Sequence, residues 1–116
     1  MFPSRVEFLQ HILDECNFLL EEYHANTFDD LMNNRRLAYA VCRSLEIIGE
    51  AAKNVDPELK SKYPEVEWKK MAGIRDVIIH DYFGIDYEII WQTMGKKITP
   101  LKEWIEIIIA REQSGK

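Results

Sequence analysis

Apolar residues recur every three or four positions through nearly the whole chain, and that period restricts it to helices packed on helices. Leu9, Ile12, Leu13, Cys16, Leu19, Leu20 and Tyr23 line one side of a helix that should reach about residue 24. Leu37, Val41, Leu45, Ile48, Ala52 and Val55 repeat the pattern further along. No segment alternates as a half-buried strand does. The expected fold is therefore all-α, an antiparallel bundle of four to five helices.

Start and stop signals divide the pattern. Ser4 and Glu7 fit a capping box, Thr27 and Asp30 mark a second start, and Asn33 or Asn34 can cap a helix running to about Val55. Within that helix Gly49 costs about 1 kcal/mol relative to alanine unless it admits a close neighbour. Asp56 and Pro57 suit the N-cap and first position of a short helix before the loop at Tyr63-Pro64. Another helix is expected from about Val66 to Tyr82, stopped by Gly84. Asp86 then caps a final stretch to about Arg111, which Thr99-Pro100 should kink or restart.

Size and charge narrow the possibilities. With 116 residues, five glycines and no linker or repeat, residues 1–116 should form a single domain. "MFPSRVEFLQ" lacks the order of a signal peptide, and no apolar run approaches the roughly 18 residues of a membrane span, so a soluble, cytoplasmic protein is expected. Cys16 and Cys42 read as buried thiols. His11 and Glu15 stand one turn apart, but two ligands make no metal site; neither a metal nor a cofactor is assigned. The net charge of −5 argues against broad adhesion to nucleic acid, which depends on many cations displacing counterions. Arg35/Arg36, Lys69/Lys70 and Lys96/Lys97 either collect into a local basic site or remain solvated surface. Arg43, Glu46 and Glu50 are spaced for surface ion pairs or for a place in a polar cleft.

The stretch "RDVIIHDYFGID", residues 75–86, sets Arg75, His80 and Tyr82 in the order R-x-x-x-x-H-x-Y. On a straight helix Arg75 and Tyr82 nearly superpose, whereas His80 lies about 140° round from Arg75 and one turn beyond Asp76. Aiming both groups at one atom requires the helix to unwind near Phe83-Gly84, or a second copy of the segment to close the site. Met71, Ile74, Val77 and Ile78 form a core stripe, and Ile79 and Tyr82 widen it in a way that suits a twofold dimer. Once converged, an imidazole moves protons near neutral pH and a guanidinium holds a phosphate and its transition-state charge. Those parts suffice for RNA cleavage, since the 2′-hydroxyl is the nucleophile and no metal is needed. The same residues also admit a plainer reading: an arginine in a salt bridge and a histidine favoured by a helix dipole.

"CRSLEIIGEAAK", followed by "YPEVEWKKMAGIRDVIIHDYFGIDYEIIW", resembles the HepT-like proteins of the HEPN superfamily from about Leu37 to Trp91. Trp68, seven residues before Arg75, and the Y-F-G-I-D exit belong to the same pattern. The resemblance implies a helical homodimer whose paired motifs form an RNase site in a cleft. It implies the toxin of a type VII-like toxin–antitoxin pair, partnered by an MntA-like nucleotidyltransferase antitoxin. By matching positions, Arg75 would hold the scissile phosphate and His80 would be the general acid/base, while Tyr82 would be the hydroxyl that the antitoxin AMPylates. Asp76 could orient His80, although family members often carry asparagine there and an aspartate repels phosphate. The alternative implied by some relatives is a catalytically weak nucleotide- or partner-binding subunit of a nucleotidyltransferase complex.

Overall fold

A computed structural model describes residues 6–80 and 84–114. The first apolar stripe becomes α1 (Glu7–Ala25), with Leu9, Ile12, Cys16 and Leu19 fully buried. Val6 takes the N-cap position without a side-chain bond, and the expected Ser4 cap lies outside the described residues. Thr27 and Asp30 do form a reciprocal capping box, which starts the short α2 (Phe28–Asn33). Asn34 accepts a hydrogen bond from the amide of Leu37 and opens α3 (Arg35–Asn54), the longest helix of the domain.

The core is the seam where α1 packs on α3 and on α8 (Ile98–Ser114). Val41, Leu45, Ile48 and Ala52 of α3 and Ile105 and Ile108 of α8 belong to this core, all of them almost wholly removed from water. Each buried Val, Leu or Ile side chain contributes about 1.5–3 kcal/mol relative to exposure, so the seam outweighs any local propensity. Ser44 is a buried polar residue within it, and its hydroxyl donates to the Glu15 carbonyl of α1 at 3.4 Å.

Shorter elements lock the ends. Asp56 caps and Pro57 opens α4 (Pro57–Lys62), as their order predicts. Glu112 near the end of α8 accepts from Lys62 at 2.8 Å and from the Tyr63 hydroxyl at 3.2 Å, tying α8 to α4. The last helical stretch is continuous from α7 (Tyr87–Gln92) through a π-helical turn (Thr93–Lys97) into α8. Pro100 cannot donate to the carbonyl one turn back, so the wide turn just ahead of it is where the helix absorbs the restart. Among the described residues the fold is all-α apart from one two-residue antiparallel ladder. No helix among the described residues is long and apolar enough to cross a membrane.

The predicted Val66–Tyr82 helix is where structure and expectation part. It is divided into α5 (Trp68–Ala72) and α6 (Ile74–Ile78), and the chain leaves helical geometry at Ile79. Gly73 marks the break, its amide donating back to the Lys69 and Met71 carbonyls. Val77, Ile78 and Ile79 are three consecutive β-branched residues, which lose side-chain freedom in a helix and favour extended backbone.

Gly49 faces this break. A Cβ there would sit 3.1 Å from the Met71 carbonyl oxygen, 3.2 Å from Ile74 Cγ2 and 3.4 Å from the Ala72 carbonyl oxygen. Gly49→Val should therefore push α5 and α6 off α3 and cost roughly 1–3 kcal/mol by overpacking, read as a lower urea midpoint with unchanged slope. Burial also holds the Cys16 thiol up at about 12 and that of Cys42 at about 11, from an ordinary 9.0. Their contribution to stability is complete below pH 9 and is lost above it, because the unfolded chain releases the protons first. The urea midpoint should fall between pH 8 and pH 10, and by less when both cysteines are alanine.

Candidate functional site

The Arg75–Asp86 segment is strung between two anchored ends. On the upstream side the Trp68 indole N–H donates to the Tyr63 carbonyl at 2.9 Å, while Tyr63 and Val66 are buried beneath it. This fixes the start of α5, and the bare backbone of Gly49 lets α5 and α6 lie directly on α3. On the downstream side Asp86 accepts from the amide of Ile89 at 3.1 Å and starts α7. Trp91 of α7 packs against Tyr23 of α1, with 4.5 Å between ring centres, and against Phe28 of α2 at 6.3 Å. Tyr23 in turn closes on Gly95 of the π-turn, where a Cβ would meet its hydroxyl at 2.5 Å.

Between these anchors the chain reverses through β1 (Ile79–His80) and β2 (Gly84–Ile85). Ile79 pairs with Ile85 and His80 with Gly84. Gly84 has φ +105°, a conformation open to glycine at little cost. It thus serves the hairpin and is not the helix stop that its position in the sequence suggests.

Arg75 is exposed on α6, and no carboxylate stands within ion-pair distance of it among the described residues. The salt bridge open to it in the sequence does not form there. Asp76 is exposed beside it, its amide donating to the Gly73 carbonyl at 3.1 Å. His80 is placed by its backbone alone, in β1. Tyr82 lies outside the described residues. Because α6 ends at Ile78, the 140° offset of a straight helix does not govern His80, and the unwinding falls at Ile79, ahead of Phe83-Gly84.

A cleft of about 750 Å³ opens beside α6, between α3, α5 and the start of α8. Leu45, Ile48, Met71, Ile74, Leu101 and Trp104 give it an apolar floor, with Lys70, Lys96 and Lys97 among its lining. Two of the three basic pairs thus contribute to one locus, while Arg35/Arg36 stand apart on α3. The π-turn presents Lys96 and Lys97 here, and its position was legible only as Gly95 lying five residues ahead of Pro100. Glu67 accepts from Lys70 at 2.8 Å, and that bond, then the charges of Lys70 and Lys97, holds its carboxyl below the usual range. Arg43 and Glu46 form the loose surface pair their spacing suggests, at 3.9 Å. Among the described residues no three His, Cys, Asp or Glu side chains gather as a metal site requires.

A family model described as "Ribonuclease HepT-like" matches residues 12–108. "Putative RNase TTE0752" of Caldanaerobacter subterraneus subsp. tengcongensis is 45% identical over 106 residues, covering 91% of this chain and 95% of that one. "Putative RNase MJ0127" of Methanocaldococcus jannaschii is 45% identical over 102 residues, 87% of this chain and 84% of that one. "Probable ribonuclease HepT" of Thermococcus cleftensis is 37% identical over 102 residues, 88% of this chain and 93% of that one. No solved structure matches the chain at comparable stringency.

The hairpin offers a direct test of how the site is held. Nothing lies within 4 Å of a Cβ built on Gly84, so Gly84→Ala should act through backbone strain alone. We expect a loss of about 1–2 kcal/mol confined to the hairpin. Hydrogen exchange would show faster amides at residues 79–85, with those of α1 and α3 unchanged.

Proposed function

The chain belongs to the HepT-like ribonuclease family, and from that premise we propose that it is a metal-independent endoribonuclease whose site is built from Arg75 and His80 in a homodimer. The observation that carries this is the exposed Arg75 guanidinium, unpaired among the described residues, on the short helix leading straight into the strand that bears His80. An unpaired surface arginine is free to take a phosphate. In a dimer with two copies of this segment in one groove, each phosphodiester meets both group types without a continuous helix having to aim them.

The chemistry then needs only a proton carrier and a charge clamp. Neutral His80 removes the proton of the 2′-hydroxyl, whose oxygen attacks the adjacent phosphorus. The bond from phosphorus to the 5′-oxygen breaks, and an imidazolium returns a proton to that leaving oxygen. The products are a 2′,3′-cyclic phosphate and a 5′-hydroxyl end. Arg75 stabilises the additional charge on the non-bridging oxygens as it develops. Asp76 is the residue that would orient His80, at some cost in repulsion of RNA.

Regulation is proposed to act on the same motif. Tyr82 is two residues beyond His80, so AMP units attached to its hydroxyl by an MntA-like nucleotidyltransferase would set phosphate charge against Arg75 and exclude RNA. This makes the protein the toxin of a toxin–antitoxin pair. The alternative, a catalytically weak binding subunit, keeps the partner and loses the cleavage.

His80→Ala should lower RNA cleavage by 10²–10⁴-fold, and Arg75→Ala by a comparable factor, with dimer mass and helical content unchanged. Cleavage at the wild-type rate by His80→Ala, with a clean protein preparation, would refute the assignment. Coexpression with an MntA-like nucleotidyltransferase should add AMP to wild-type protein and leave Tyr82→Phe unmodified, as read by intact mass.

A further inference from the structure

The outer face of α3 carries a second concentration of positive charge that the motif does not use. From Leu31 to Leu45 the chain has Arg35, Arg36 and Arg43 and no acidic residue, although 20 of its 116 residues are Asp or Glu. Arg35, Tyr39 and Arg43 are spaced four apart, with Arg36 alongside, so all four share one side of the helix. All four are exposed. Tyr39 is 61% exposed and Met32, just ahead on α2, is 46% exposed; they are two of the three large apolar side chains left in water among the described residues. No carboxylate lies within 4 Å of Arg35 or Arg36 among the described residues, and Arg43 reaches Glu46 only at 3.9 Å.

We propose that this face is a single-stranded RNA contact surface, in which the three arginines hold phosphates and the Tyr39 ring stacks on a base. The proposal rests on the ribonuclease reading for the identity of its ligand. An exposed aromatic ring flanked by cations is what a flexible, sequence-tolerant strand needs: a π-face for any base and charge for the backbone. Arg35 to Arg43 spans about 12 Å of helix, room for three or four stacked nucleotides at about 3.4 Å each. Arg43 lies about 9 Å along the axis from Gly49, where α3 touches the turn leading into Arg75. An RNA seated here therefore lies on the same helix that positions α6 and Arg75. On a chain of net charge −5 a local patch of this kind also selects where a polyanion lands. A second copy of the same face is a poorer occupant, since twofold contact would set the arginine-rich halves of two helices together.

The test measures binding of a labelled, unstructured 12-nucleotide RNA to full-length protein in the His80→Ala background, which does not consume it, from 50 to 200 mM salt. Replacing Arg35, Arg36 and Arg43 by alanine should weaken binding at least 10-fold at low salt. It should also reduce the slope of log affinity against log salt by about two, at about 0.7 per phosphate contact. Tyr39→Ala should bind about 10-fold more weakly with its slope unchanged, and Tyr39→Phe should bind normally. Unchanged affinity and slope in the arginine variant overturn the proposal. So does a variant that binds RNA as before but converts dimer to monomer in light scattering, which would make the face a contact between copies. Cleavage of a dinucleotide by unsubstituted protein, a substrate too short to reach α3, tests the nuclease reading separately. Its absence alongside the expected binding losses leaves the RNA surface standing and removes the nuclease.

Discussion

The contact between the bare backbone of Gly49 and the α5–α6 turn sets the position of everything that follows. A helix interior pays about 1 kcal/mol for glycine, yet here the Met71 and Ala72 carbonyls and the Ile74 side chain occupy the space a Cβ would fill. That proximity brings α6, and with it Arg75, down onto the most buried helix of the domain. The apolar seam between α1, α3 and α8 supplies the rigidity, and Gly49 is where that rigidity is passed to the motif.

The opposite end is held by different physics. A stack of Tyr23, Trp91 and Phe28, seated over Gly95, binds α7 to α1 and α2. Aromatic rings bury large areas and prefer tilted or edge arrangements, so the stack resists sliding as well as separation. Between the two anchors, among the described residues, a two-residue antiparallel ladder joins the arms of the reversal. The motif is thus entered and left through fixed ends.

Charge is divided as deliberately as packing. The chain is acidic overall, but the cleft beside α6 gathers Lys70, Lys96 and Lys97 while the outer face of α3 gathers Arg35, Arg36 and Arg43. The lysines sit above an apolar floor and one is engaged by Glu67; the arginines stand in water with an unpartnered tyrosine among them. Among the described residues the second arrangement sets exposed arginines beside an exposed ring, which is why the proposed RNA contact is placed there.

Much of this was legible in advance. The apolar period determined an all-helical domain, and local capping chemistry placed Thr27, Asn34, Asp56 and Asp86 at the starts of their helices, because those bonds close within three residues. The order Arg75, His80, Tyr82 named the candidate chemistry. What only the tertiary structure decided was the end of that helix at Ile78, the hairpin use of Gly84, the π-turn, and the meeting of Lys70 with Lys96 and Lys97. The hairpin pairs residues only four and six apart, in a form helical periodicity does not report; the setting of α6 on α3, the packing of the π-turn and the meeting of the lysines depend on contacts across more than twenty residues, such as Gly49 with Ile74 and Tyr23 with Gly95, and periodicity along a chain carries no information about which distant surfaces will exclude water together.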